Sequence, residues 1–319
     1  MPQPTPPPTL TTGIQFVAMG LVWGASFLFM KVALEGVSFG QVAWSRLLLG
    51  ALTLGVIVLV RRLPIPRSPR LLAHFLVIGV TGGVVPFLLY AWAEQYVTSG
   101  LASIYNATTP IATALMVTLV FRVEKLSRAQ LLGILVGIVG VVLIIGPWRF
   151  TGIVSTPAAG ASPVIELAGQ LACLGAALSY GVTFSYLRKF ITPYGISGVM
   201  SAFLQIGMGG IVMLILTPFV ALGEVRLDAP IVASLLVLGA LGTGVAYLWN
   251  MNVLRSWGPT ATSTVTYITP VVGVALGVLV LGERLGWNEP VGAAIVLVGI
   301  LLAQGRIRLT ARRSPAIPG

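Results

Sequence analysis

The chain has 319 residues, 56% of them hydrophobic and only 8% charged, and carries a formal net charge of +11. A charged share so far below the roughly 25% usual in soluble domains excludes a water-soluble fold and marks a polytopic membrane protein. Lys and Arg fall in the short gaps between apolar runs, a pattern of membrane topology and not of a nucleic-acid surface, and with one cysteine (Cys173) and one histidine (His74) neither a disulfide within the chain nor a cysteine-cluster metal site can be built. No cofactor and no nucleic-acid partner is expected.

Residues 1–12 form an uncharged Pro and Thr tail with no signal-peptide head, expected to be disordered. Beyond it, about 20 mostly apolar residues are needed to cross the hydrocarbon core. Ten stretches qualify: Gly13 to Ala33, Gly40 to Val60, Leu71 to Gln95, Ser99 to Val120, Ala129 to Pro147, Leu167 to Leu187, Ser197 to Val220, Ala229 to Asn252, Thr260 to Leu281 and Pro290 to Gly305. The first five make a unit over residues 13–147 and the last five a unit over 167–305. A Gly-, Pro-, Ala- and Ser-rich linker at 148–166 separates them, and a basic tail follows at 306–319. With the N-terminus inside, fourteen Lys and Arg lie on the inner side. Only Lys31, Arg149, Arg226 and Arg284 lie on the outer side, and Arg46 is within a span, so both termini are expected in the cytoplasm.

The two units repeat each other. Trp23 to Phe27 (WGASF) matches Tyr180 to Phe184 (YGVTF) at an offset of 157, and Gly79, Gly82 and Pro110 match Gly239, Gly242 and Pro270 at 160. Glu124, Lys125 and Leu126 match Glu283, Arg284 and Leu285 at 159, as do Gly133 and Gly140 with Gly292 and Gly299. Five spans per repeat, an odd number, turn the second copy upside down in the bilayer. The expected fold is therefore all-α and integral to the membrane, ten transmembrane helices as two inverted five-helix repeats. That plan is common in secondary transporters, whose halves rock about a site near the midplane, and some channels share it.

These residues carry a resemblance. The doubled five-span plan, the Trp23 to Phe27 stretch, Arg46 within Ser45, Arg46 and Leu47, the Thr109, Pro110 and Thr269, Pro270 pairs, and a Glu then Leu before each final span resemble the EamA branch of the drug/metabolite transporter superfamily over roughly Ile14 to Gln304. The resemblance implies a ten-helix carrier of small metabolites, often an exporter, with a central cavity between its halves. Amino acids, sugars, nucleobase compounds and drugs are all handled in that family. The sequence departs from repeat symmetry at Arg46, whose place in the second half falls on Phe203 or nearby Gln205.

Candidate substrate-binding residues follow from depth and chemistry. A mid-helix proline frees the carbonyl four residues back. Pro110 and Pro270 therefore expose the carbonyls of Asn106 and Thr266 at matching depth, as broken polar turns, with Thr109 and Thr269 on the same faces as those residues. Small polar residues also glue membrane helices together, which is the competing account. Tyr267 adjoins the second turn, and Trp23 and Tyr180 occupy equivalent deep positions, able to stack on a ligand or simply to pack. Tyr90, Trp92, Trp249 and Trp257 fit interfacial belts better, and Asn250 and Asn252 fit interfacial solvation. An intramembrane charge must face protein or water. Arg46 thus either snorkels to the outer surface or serves as a cavity cation that attracts a substrate carboxylate or gates the outer mouth, with Glu94 a counter-charge on either reading. Glu124 and Glu283 are expected to brace the loops before the final spans, and the glycine faces at Gly133, Gly140, Gly292 and Gly299 to pack within the chain or at a dimer seam. A small-molecule substrate, the lipid bilayer and a monomeric or homodimeric state are the expected partners. The function expected is a gradient-driven transporter, no enzyme, moving an amino acid or similar amphipathic compound, most simply outward. A channel or lipid scramblase of the same fold is the alternative.

Overall fold

The computed structural model describes residues 10–123, 127–148, 162–262 and 264–306. Most of the N-terminal tail, most of the linker, nearly all of the basic C-terminal tail, and Glu124 with its neighbours Lys125 and Leu126 lie outside the described residues. Ten apolar helical segments run α1 (Leu10–Ala33), α2 (Phe39–Val60), α3 (Pro69–Ala93), α4 (Ser99–Val120), α5 (Arg128–Ile145), α6 (Pro163–Tyr194), α7 (Gly198–Val220), α8 (Ala229–Val253), α9 (Val265–Leu281) and α10 (Asn288–Ala303). No strand occurs among the described residues. Large apolar side chains such as Leu59, Leu135, Ile215, Phe219 and Leu279 stand exposed on the outside of the bundle, where only lipid can solvate them. The protein is a multi-pass membrane protein.

Local chemistry sets the ends. Ser38 and Ser127 each form a reciprocal capping box with a Gln three residues on, and Ser162, Ser197 and Asp228 accept from the third amide of α6, α7 and α8. Gly146 (φ 62°) and Gly282 (φ 65°) stop α5 and α9 in the left-handed conformation that only a residue lacking Cβ enters freely. Several boundaries differ from expectation. Helix α1 begins at Leu10, inside the expected tail, and α6 begins at Pro163, inside the expected linker, because Ser162 supplies a cap there. The last helical piece of α8 continues past Pro259 to Thr262, through a stretch expected to be a loop.

Packing follows the inverted repeat. Segment α1 packs on α8 and α9 as α6 packs on α3 and α4, α2 packs on α8 as α7 packs on α3, and α2·α7, α4·α9 and α5·α10 pair with their own counterparts. Gly24 lets α1 approach Val272 and the Thr269 carbonyl of α9, where an added Cβ would lie 2.5 and 2.9 Å from them. Its repeat equivalent Gly181 meets the backbone of Ala112 on α4 at 2.8 Å, the position equivalent to Val272. Gly133 packs on Gly299 and Gly140 on Gly292, so the glycine faces serve the α5·α10 interface within the chain. Each half also carries π-helical turns at one repeat position, Val80–Val84 in α3 and Val237–Val245 in α8. Such insertions recur at functional sites because they re-aim side chains.

The expected pair of broken turns is realised once. In α4 the helix interrupts at Ala107 and Thr108 between Ser99–Asn106 and Thr109–Leu115, and Pro110 sits in the first turn of the new piece, where its missing N–H costs nothing. In the second half Pro270 lies inside an unbroken α9, which starts at Val265, five residues earlier.

Candidate substrate cavity

Between the halves lies a cavity of about 150 Å³ lined from seven segments: Trp23, Ser26, Phe27 and Met30 of α1, Arg46 of α2, Phe87 and Tyr90 of α3, Asn106 and Thr109 of α4, Tyr180 and Phe184 of α6, Tyr247 of α8, and Thr266 and Thr269 of α9. Ten of these fourteen are repeat mates: Trp23 with Tyr180, Phe27 with Phe184, Phe87 with Tyr247, Asn106 with Thr266, and Thr109 with Thr269. The aromatic rings meet edge-on or tilted, Trp23 and Tyr247 at 6.0 Å, Phe27 and Tyr90 at 5.6 Å, Tyr90 and Tyr180 at 6.4 Å between centroids. Such contacts keep ring faces available to a ligand.

Hydrogen bonds fix the wall. The Trp23 indole donates to the Gly242 carbonyl at 3.0 Å, a group in the π-helical part of α8. Tyr90 donates its hydroxyl to Asn106 Oδ1 at 3.2 Å, leaving the Asn106 amide nitrogen for an occupant, and the Thr109 hydroxyl donates to the Asn106 carbonyl that Pro110 frees, at 2.7 Å. The polar turn thus satisfies its own backbone.

Arg46 is the one charged side chain of the lining. Its guanidinium carbon lies 4.1 Å over the Phe87 ring and its Nε donates to Thr243 Oγ1 at 3.2 Å. Thr243 in turn donates to the Leu238 carbonyl, five residues back in the π-helical turn. Stacked and tethered, Arg46 points inward and does not snorkel, and Glu94 makes no hydrogen bond with it. Its terminal amino groups are left for a ligand, a planar fork suited to a carboxylate.

Seven of the ten sequence candidates meet at this cavity: Trp23, Arg46, Asn106, Thr109, Tyr180, Thr266 and Thr269. Pro110 follows the backbone break behind it, whereas Pro270 lies within an unbroken helix. Tyr267 turns away by one residue of helix and donates to Gln304 Oε1 at 2.5 Å, at the end of α10. Tyr90, read as interfacial, is buried and central because the last turns of α3 pack on α6 and α2. Sequence reasoning also missed Phe27, Phe87, Phe184 and Tyr247. The repeat alignment held the signal, since all four are aromatic at paired positions.

The two ends of the bundle differ. At the face opposite the chain termini, the Arg226 amide donates to the Gly36 carbonyl at 2.9 Å, its guanidinium to the Glu35 carbonyl at 3.1 Å, and Gln41 to the Ala221 carbonyl at 3.1 Å, which ties the α1–α2 turn to the α7–α8 turn. Lys31 donates to the carbonyls of Glu94 and Val97, joining α1 to the α3–α4 turn. The Glu283 carboxylate accepts from the Ser99 and Gly100 amides at 2.7 and 3.0 Å, so it caps α4 across the pseudo-twofold instead of bracing its own loop. At the terminal face a second cavity of about 310 Å³, lined by Leu187, Ile196, Gln205, Asn250 and others, shares Phe184 and Tyr247 with the central one. Asn250 therefore faces a vestibule.

The EamA-like transporter family model matches the chain twice, over residues 11–146 and 167–304. The chain belongs to the EamA-like transporter family. The two matches are the two repeats. Similar proteins include the "Uncharacterized transporter YdfC" of Bacillus subtilis (27% identical, covering 88% of this chain and 86% of the relative) and the "Probable terminal-alkyne amino-acid exporter" of Streptantibioticus cattleyicolor (26%, 94% and 95%). The "Probable amino-acid metabolite efflux pump" of Salmonella typhimurium is 27% identical over 92% of this chain and 95% of the relative. Among solved structures, one crystal structure shares the fold with a TM-score of 0.61 at 18% identity, covering 93% of this chain and 98% of the other. The protein is thus an EamA-type membrane transporter.

Proposed function

We propose that this EamA-type protein is a secondary transporter that exports a small amphipathic carboxylate, an amino acid or close relative, by alternating access. The observation that carries the reading is the central cavity: a ring of repeat-paired aromatics for an apolar body, amides and hydroxyls at Asn106, Thr266 and Thr269 for polar groups, and one cation, Arg46, held by Phe87 and Thr243 for the carboxylate. The positive-inside distribution supports a cytoplasmic terminal face. The vestibule then opens inward and the tied turns close the outside, the arrangement of a carrier loading from within. The printed names of two relatives, an amino-acid exporter and an amino-acid metabolite efflux pump, support the substrate class and direction.

Counterflow in liposomes tests this. Purified protein should accumulate labelled amino acid against preloaded unlabelled amino acid, saturably and with trans-stimulation. Flux that is linear in concentration and indifferent to the trans side would make the protein a channel or scramblase instead.

A further inference from the structure

Among the described residues, the side chains with enclosed polar atoms and no hydrogen-bond partner are few, and one is ionisable. Glu94 is 0% exposed, and both of its carboxyl oxygens are sealed from solvent without a donor. It closes the last turn of α3 at the tied face. The titratable and charged groups that face it are Lys31 of α1, Arg46 of α2, Tyr90 of its own helix, Cys173 of α6 and Glu283 of the α9–α10 loop. Nearly all are engaged elsewhere: Arg46 with Thr243 and Phe87, Tyr90 with Asn106, Glu283 with the α4 amides. Cys173 is a buried free thiol.

Lys31 is the informative neighbour. Its ammonium donates to the main-chain carbonyl of Glu94 itself and to that of Val97, not to the Glu94 carboxyl. A charge-assisted bond to a carboxylate is about twice as strong as one to a neutral acceptor. An ammonium bonded to two neutral carbonyls, one of them that of Glu94 itself, while both Glu94 carboxyl oxygens go without a donor, is in the geometry of a carboxyl that holds a proton. A buried carboxylate with no donor would be far costlier than the neutral acid.

We propose that Glu94 is a proton-binding site built into the outer seal, and that its proton decides where Lys31 bonds. Loaded, Glu94 leaves Lys31 on the carbonyls, and α1 is pinned to the α3–α4 turn. Unloaded, the carboxylate draws Lys31 off Val97 into an ion pair with the end of α3, and the pin on the α3–α4 turn at Val97 is released. The balance is simple: one proton passes from the carboxyl to water admitted at the outer face, and the ammonium's hydrogen bond moves from neutral to charged oxygen. Glu94 also lies one turn from Tyr90, whose hydroxyl holds Asn106 in the cavity, so the proton site and the substrate site share a helix. The proposal rests on the transporter reading only in taking the release of this pin as outward opening.

Two measurements on the full-length purified protein test it. Infrared difference spectra across a pH titration should show a protonated-carboxyl carbonyl band that vanishes as pH rises and is missing in Glu94→Gln. Glu94→Asp serves if the Gln variant does not fold, and should shift the midpoint. Second, with Cys173→Ala as background, a Val97→Cys thiol should be labelled by a water-soluble maleimide roughly fivefold or more faster, relative to the same thiol in Glu94→Gln, above the band's midpoint than below it. A missing band, or a labelling ratio that ignores pH, overturns the proposal and leaves the counterflow result untouched. Failed counterflow with the band and the labelling intact would sink the transporter reading and leave the proton site standing.

Discussion

At the scale of the residue, Arg46 is the one charged side chain of the cavity lining. Its position within a span was visible in the sequence; its orientation was not, because that depends on Thr243, nearly two hundred residues away, and on a π-helical turn that no periodicity announces. Removing the charge with Arg46→Gln should cost the substrate a charge-assisted hydrogen bond, about 1.5–3 kcal/mol, which is roughly a tenfold to hundredfold rise in Kd. Arg46→Lys should fall between the two, keeping the charge but losing the stack on Phe87 and the planar fork. Isothermal titration or counterflow with a transported amino acid, on protein shown to be monodisperse, checks both. Equal affinity across all three would remove Arg46 from the site. Tyr267 teaches the converse. It neighbours the lining residue Thr266, but one residue is about 100° of helix, and its hydroxyl belongs to Gln304.

Among elements, the helices themselves were legible because apolar length and serine caps are local signals. Their breaks were legible only in part. Pro110 marked the interruption in α4 within a few residues, whereas Pro270 is absorbed into a continuous α9 whose packing against α1 and α4 outweighs one lost hydrogen bond. Close approach at glycine is what that packing requires. Gly24→Ala and Gly181→Ala should each destabilise by about 1–3 kcal/mol, since the new methyl meets Val272 or the Ala112 backbone and neither can move far. Gly207→Ala, on α7 with open space around it, should be neutral or mildly stabilising. Thermal unfolding in one detergent compares the three. A Gly24→Ala protein as stable as wild type would mean that the α1·α9 contact relaxes freely.

For the whole molecule, the doubled architecture was the most legible property of all, because an inverted repeat writes the same spacing twice. What spacing cannot report is which end is closed, for the closing contacts are main-chain bonds from Arg226, Gln41 and Lys31 between turns far apart in the chain. The side of the membrane to which that end belongs is an expectation from charge, and it can be checked. A fluorescent protein fused after Gly319 should glow in the cytoplasm, and alkaline phosphatase inserted in the linker after Ser155 should be active outside. The reverse pattern would turn the carrier over and make it load from without.

The lopsided lining has one more consequence. In a carrier of two interchangeable halves, passing from one open state to the other amounts to each repeat adopting the shape of its twin. Were the walls fully paired, a ligand would meet the same surroundings from either side. Arg46 has no twin, since the equivalent place holds Phe203 or Gln205. Under the proposed alternating access, the exchange of shapes would relocate the positive charge relative to the open mouth, and the half-saturation concentrations measured from the two sides of a liposome should differ. Arg46→Gln should bring them together. The one charged side chain of the lining, without a counterpart in the other repeat, would then be what gives this transporter a preferred side from which to fill.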